Sequence, residues 1–139
     1  MGSRRQSREC AIQILYLTDV CKMNKEDAEK ALLSNNDYDK EVVPFVSELI
    51  DGTISNLKEI DEYLVKIAEN WELDRMASID KAILRLASYE LLFTPATPPN
   101  VVINEAIELA KEFSTENSGK FVNGILDKIK NLRDKKTVG

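Results

Sequence analysis

Residues Asp74 to Phe93 read DRMASIDKAILRLASYELLF, and this stretch decides the fold. Stepped at about 100° per residue, Met76, Ala77, Ile79, Ala82, Ile83, Leu84, Leu86, Ala87 and Leu91 cover an arc of roughly 200°. A surface helix needs about half that width, so this helix demands neighbours on several sides. Asp74 is placed to cap it. Ser78, Lys81, Arg85 and Ser88 form one narrow polar strip, expected to face solvent. Asp80 and Glu90 fall inside the apolar arc, where a carboxylate needs a partner. For Glu90 the expectation is an arginine or a helix end. For Asp80, an internal partner and a place at a protein contact are equally open.

Outward from this helix, the rest of the chain reads as helices too. Ser3 can cap a first helix to about Lys22, with Ala11, Ile14, Leu15, Thr18 and Cys21 on its inner face and Tyr16 on a half-polar face with Arg5, Glu9 and Gln13. Asn24 caps a short helix over 25–33, and SNNDY at 34–38 is a loop. From about Lys40 an apolar stripe of Phe45, Val46, Leu49, Ile50, Leu57, Ile60, Leu64, Ile67 and Ala68 keeps one phase past Gly52. It predicts a long helix bent near 52–56, or two nearly collinear ones, with Pro44 in its first turns. Trp71 is expected to seal two subdomains, 1–73 and 74–139. TPATPP at 94–99 stops the central helix. Two helices then follow, from about Val101 to Phe113 and from about Gly119 to Leu132, joined by the polar turn STENS. No strand alternation occurs, so the fold class is all-α, one compact body of six or seven helices.

Composition narrows the function. The 139 residues hold no histidine, two cysteines and no glycine-rich phosphate loop, which removes most zinc sites, catalytic triads and nucleotide pockets. Neither an enzyme nor a cofactor is expected. Cys10 and Cys21, eleven positions apart on one helix, lie too far apart for a disulfide and read as core thiols. No apolar run is long enough for a membrane span, and a soluble cytoplasmic protein is expected. The net charge of −5 is unevenly spread. Residues 1–22 carry four Lys/Arg against two acids, 23–73 five against thirteen, 74–119 four against seven, and 120–139 six against two. Basic ends around an acidic middle suit a protein with one face for an anion and another for a basic partner.

Arg4, Arg5 and Arg8 crowd the first turns of the first helix, where they oppose the helix dipole and repel one another, so something anionic should compensate. Lys120 is expected in the first turn of the last helix, beside the unpaired N–H groups that attract anions. Gly124 sits on the polar face of that helix at a cost of roughly 1 kcal/mol against alanine, and close approach of a bound chain would explain it.

The segments NWELDRMASIDKAILRLASYELL, VVINEAIELAKEF and STENSGKFVNGILDKI, with the arginine-led RRQSRECAIQILY, resemble the NusB family of bacterial transcription antitermination factors over essentially the whole chain. The resemblance implies an all-helical, non-enzymatic RNA-binding protein. It would hold the boxA element of ribosomal RNA leaders together with a small-subunit ribosomal protein, NusE, and load onto RNA polymerase to suppress termination. Carried onto these residues, it implies RNA contacts from Arg4, Arg5 and Arg8 and from Ser118, Gly119, Lys120, Phe121, Asn123 and Gly124. Tyr16 and Asp80 are the candidates for the partner face. A protein-only helical adaptor is the alternative, and salt-dependent RNA binding separates the two. NusB-like domains also head some RNA cytosine methyltransferases, but that activity needs a second domain for which 139 residues leave no room.

Overall fold

A computed structural model of the chain describes residues 2–34, 41–68, 76–94 and 96–138, the side chains of 2–3 and 134–138 apart. These residues form seven helices and no strand: α1 (Gly2–Val20), α2 (Lys25–Ser34), α3 (Val42–Ser55), α4 (Leu57–Ile67), α5 (Ser78–Phe93), α6 (Pro99–Phe113) and α7 (Glu116–Val138). The wide apolar arc of α5 has the consequence expected of it, because the helix lies against α1, α3, α4, α6 and α7. Ala82, Ile83, Leu84, Leu86, Ala87 and Leu91 are all buried in one continuous core.

The polar strip of α5 does not face solvent. Ser88 is fully buried, and Lys81 and Arg85 are covered by carboxylates of neighbouring helices. Lys81 Nζ lies 2.9 Å from Asp19 of α1, and Arg85 donates two hydrogen bonds of 2.9 Å to Asp61 of α4. Burial opposes ionisation of Asp19, but the hydrogen bond and charge of Lys81, with Arg85 and Lys22 behind them, hold its pKa below the usual carboxylate value. A strip that looked solvated is therefore a charged seam that docks two helices.

Local chemistry explains most element ends. Asn24 Oδ1 accepts the Asp27 N–H at 2.7 Å, a side-chain cap for α2. The end of α1 closes with Met23 N–H on Leu17 O, and Lys22 takes a left-handed conformation (φ 57°) where glycine is usual. Pro44 stands at the third position of α3, where no internal N–H bond is lost. The stripe that follows parts at Asn56, whose Nδ2 donates to Gly52 O at 2.8 Å, so α3 and α4 are separate helices. Gly52 itself lies inside α3. A Cβ there would come within 2.1–2.3 Å of the Tyr89 ring tip, so glycine is required for α3 and α5 to pack this closely. Pro99 opens α6 two residues before the expected start, in the position a proline tolerates best.

Three expectations fall outside the described residues: the Asp74 cap, the sealing role of Trp71 with the boundary near Leu73, and most of the loop after Ser34. Cys10 is buried as expected, but Cys21 lies past the end of α1 and is exposed, so only one of the two thiols belongs to the core. Both are free.

Candidate nucleic-acid interface

The three arginines of α1 lie in different surroundings, although Arg4 and Arg8 both reach the Phe45 ring. Arg8 is 5% exposed and grips Glu90 of α5 in a two-pronged pair, Nε to Oε2 at 2.9 Å and Nη2 to Oε1 at 2.8 Å. Burial works against its charge, but Glu90 outweighs it, and the guanidinium titrates above its ordinary range. A cavity of about 10 Å³ beside the pair has room for no more than one water. Arg8, expected to contact RNA, thus lies inside the protein, where its Nε and Nη2 serve a buried carboxylate.

Arg5 is half-exposed but surrounded. Its Nη2 donates to Glu112 at 2.9 Å, its Nε lies 3.4 Å from Glu9, and its Nη1 lies 3.7 Å from Glu105. The hydrogen bond to Glu112 is the main reason its pKa is raised. Arg4 is exposed, with its guanidinium 4.0 Å above the centre of the Phe45 ring. It borders a cleft of about 410 Å³ with Ser7, Glu41, Pro44, Phe45 and Glu48. The anionic compensation that the crowded arginines required is, for two of the three, the protein's own carboxylates.

The start of α7 differs from the sequence expectation in a way that matters. STENS is not all turn. Thr115 caps the helix, its Oγ1 accepting the Ser118 N–H at 3.0 Å, and α7 begins at Glu116. The Gly119 N–H already reaches Thr115 O at 3.2 Å. Lys120 therefore sits in the second turn, beyond the free N–H groups, and its expected conflict with the helix dipole is largely absent. Ser118 and Gly119 are buried rather than offered to a ligand. The Ser118 hydroxyl donates to Asp80 Oδ2 at 3.1 Å, and Gly119 lies against Lys111 and Ile107 of α6. Lys120, Asn123 and Gly124 are exposed on one face, with Phe121 half-buried beside them. Lys120 pairs with no carboxylate among the described residues. Nothing lies within 4 Å of where a Gly124 Cβ would be, so helix packing does not account for this glycine.

Of the two partner candidates, Tyr16 is half-buried on α1, while Asp80 is 7% exposed where α5 meets α7. Its Oδ1 has no hydrogen-bond partner. Burial pushes its carboxyl above the usual range, against the pull of the Ser118 hydrogen bond. No hydrogen bond or ion pair joins Tyr16 to Asp80. A cleft of about 300 Å³ opens beside Asp80, lined also by Met76, Ala77, Thr115, Asn117 and Phe121. Among the described residues no three His, Cys, Asp or Glu side chains form a metal-holding group, and no helix is long and apolar enough to cross a membrane.

Sequence reasoning did not find Phe45, Glu105 or Glu112 as parts of this surface. The spacing of Glu105 and Glu112, seven residues on one helix, puts them on a common face. That signal was present, but only the fold brings Arg5 to it.

The NusB family model matches residues 5–131. The transcription antitermination protein NusB of Elusimicrobium minutum is 47% identical over 135 residues, covering 96% of each chain. The chain belongs to the NusB family. Among solved structures, T. maritima NusB superposes with a TM-score of 0.81 at 42% identity, over 92% of this chain and 90% of that one. A crystal structure of antitermination factors NusB and NusE in complex with double-stranded RNA gives a TM-score of 0.86 at 28% identity, over 95% and 98%. These two structures cover 92% and 95% of the chain with the all-helical NusB fold. Transcription antitermination is the work for which these relatives are named.

Proposed function

We propose that this NusB-family chain is an RNA-binding antitermination factor that holds the boxA element of ribosomal RNA leaders jointly with the ribosomal protein NusE, and that the pair assists elongating RNA polymerase in the cytoplasm. The solved NusB–NusE–RNA relative supports both partners. The observation that carries the RNA reading is Gly124, an exposed glycine inside a 23-residue helix with open space where its side chain would be. Such a residue costs the helix stability and contributes nothing inside the protein. It suits a ligand whose backbone runs against the helix. Lys120, Phe121 and Asn123 beside it supply a cation, an aromatic surface and an amide, a set suited to phosphates and unstacked bases.

In this reading Arg4 and Lys120 are phosphate contacts and Arg5 becomes one only where a phosphate displaces its carboxylates, while Arg8, Ser118 and Gly119 hold their helices in place. NusE is a basic partner for the acidic middle of the chain. Tyr16 offers it a surface contact, and Asp80 acts from beneath, by setting where α7 starts.

Gly124→Ala tests the proposal because stability and binding should move oppositely. Thermal and denaturant melts should show a gain of about 0.5–1 kcal/mol, while titration of boxA RNA should show weaker binding. Lys120→Ala should lower the log–log salt slope by about 0.7, the share of one phosphate on single-stranded RNA. An unaltered RNA affinity for both variants, or binding indifferent to salt, would favour the protein-only adaptor.

A further inference from the structure

We infer that Glu112 is a brake on RNA binding: it occupies the guanidinium edge of Arg5 that a phosphate would take, so the protein binds RNA more weakly than its cations allow. The inference rests on the RNA reading above and goes beyond it, because it assigns a role to a carboxylate. Arg5 Nη2 donates to Glu112 at 2.9 Å, with Glu9 at 3.4 Å on another nitrogen and Glu105 at 3.7 Å. One cation faces three carboxylates, and the local charge at this corner is negative. A phosphate approaching Arg5 must displace a hydrogen-bonded carboxylate and then lie among the remaining two.

Glu112 is the carboxylate to single out. It is the most exposed of the three, at 48% against 28% for Glu9 and 29% for Glu105. Glu9 belongs to the same helix as Arg5 and follows it wherever it goes. Glu105 lies outside hydrogen-bond range of the guanidinium. Glu112 stands in the last turn of α6, four positions before α7 begins, and ties the arginine end of α1 to α6. As a structural tie it is weak, being a half-exposed ion pair of a kind that adds little to stability. Its removal therefore leaves the fold in place and exposes its effect on the ligand. Such a brake weakens all RNAs that use Arg5 by a constant factor, which drops incidental binding below useful occupancy and leaves RNAs that make many other contacts.

The test is Glu112→Gln in the full chain, titrated with single-stranded boxA RNA at several salt concentrations and without any protein partner. The brake predicts binding about three- to tenfold tighter, with a salt slope steeper by up to about 0.7 as Arg5 gains a phosphate. The same substitution made on an Arg5→Ala background should give no gain, since the released group is missing. Equal gains on both backgrounds would make Glu112 a source of general repulsion and overturn the brake. So would unchanged affinity in Glu112→Gln while the unsubstituted chain binds RNA well. If neither form binds RNA at low salt, the RNA reading itself fails, and the brake with it.

Discussion

The two ends of α5 each bury a carboxylate, and they solve the problem differently. At the C-terminal end Glu90 receives both prongs of Arg8, and next to it the Tyr89 ring fills the space left by Gly52. At the N-terminal end Asp80 has one serine hydroxyl, an oxygen with no partner and a cleft of about 300 Å³ alongside. The first end is built for rigidity, since a paired charge in a tight setting tolerates no loose geometry. The second keeps a polar group short of partners beside the start of α7, where the candidate RNA surface begins. Both carboxylates fall in the same apolar arc, so what separates them is the neighbour each meets.

Removing one partner at the tight end should have the largest effect. Arg8→Ala leaves Glu90 charged and buried, and denaturant melts should show a loss of about 3–5 kcal/mol. The joint change Arg8→Met with Glu90→Leu should recover most of it, because no uncompensated charge remains. A loss under 1 kcal/mol for Arg8→Ala would erase the contrast between the two ends. Gly52→Ala comes next. Its methyl meets the Tyr89 ring, and overpacking of this kind costs about 1–3 kcal/mol, relieved in part when Tyr89→Leu is made as well.

Asp80→Asn probes the loose end, with a smaller effect of opposite sign. Because burial raises the Asp80 pKa in the folded state, its favourable contribution is complete below the ordinary carboxylate value and is lost as pH rises through the raised one. Asparagine keeps an acceptor for Ser118 and carries no charge. At pH 7 the variant should match or exceed the natural chain by about 1 kcal/mol or less, and its stability should be flatter from pH 4 upward. Destabilisation that sets in as pH rises through the raised value would mean that the Asp80 charge has a partner after all.

The arc of α5 announced the fold, because hydrophobic periodicity survives whatever neighbours it meets. The misreadings came from polar side chains, whose role depends on what the fold brings to them. Lys81 and Arg85 passed for a solvent strip until Asp19 and Asp61 arrived from other helices. Arg4, Arg5 and Arg8 passed for one basic patch, yet α1 is buried on so many sides that neighbouring positions point into different surroundings. Thr115 as the cap of α7 was hidden inside a run of turn-forming residues, and the misplaced start carried Lys120 with it. Gly124 was legible, because its exposed place on the last helix could be read from angle alone.

The Arg8–Glu90 pair joins residues 82 positions apart, and that separation bears on synthesis as well as stability. Chains grow at about 5–20 residues per second, so α1 leaves the ribosome on the order of 4–16 s before the carboxylate it needs. During that wait Cys10, Ala11, Ile12, Ile14 and Leu15, all of which end in the core, have only α2 and α3 to pack against, and the arginine stays hydrated. The Arg8–Glu90 lock therefore closes only after α5 has emerged, later than the packing of α1 on α2 and α3 can begin.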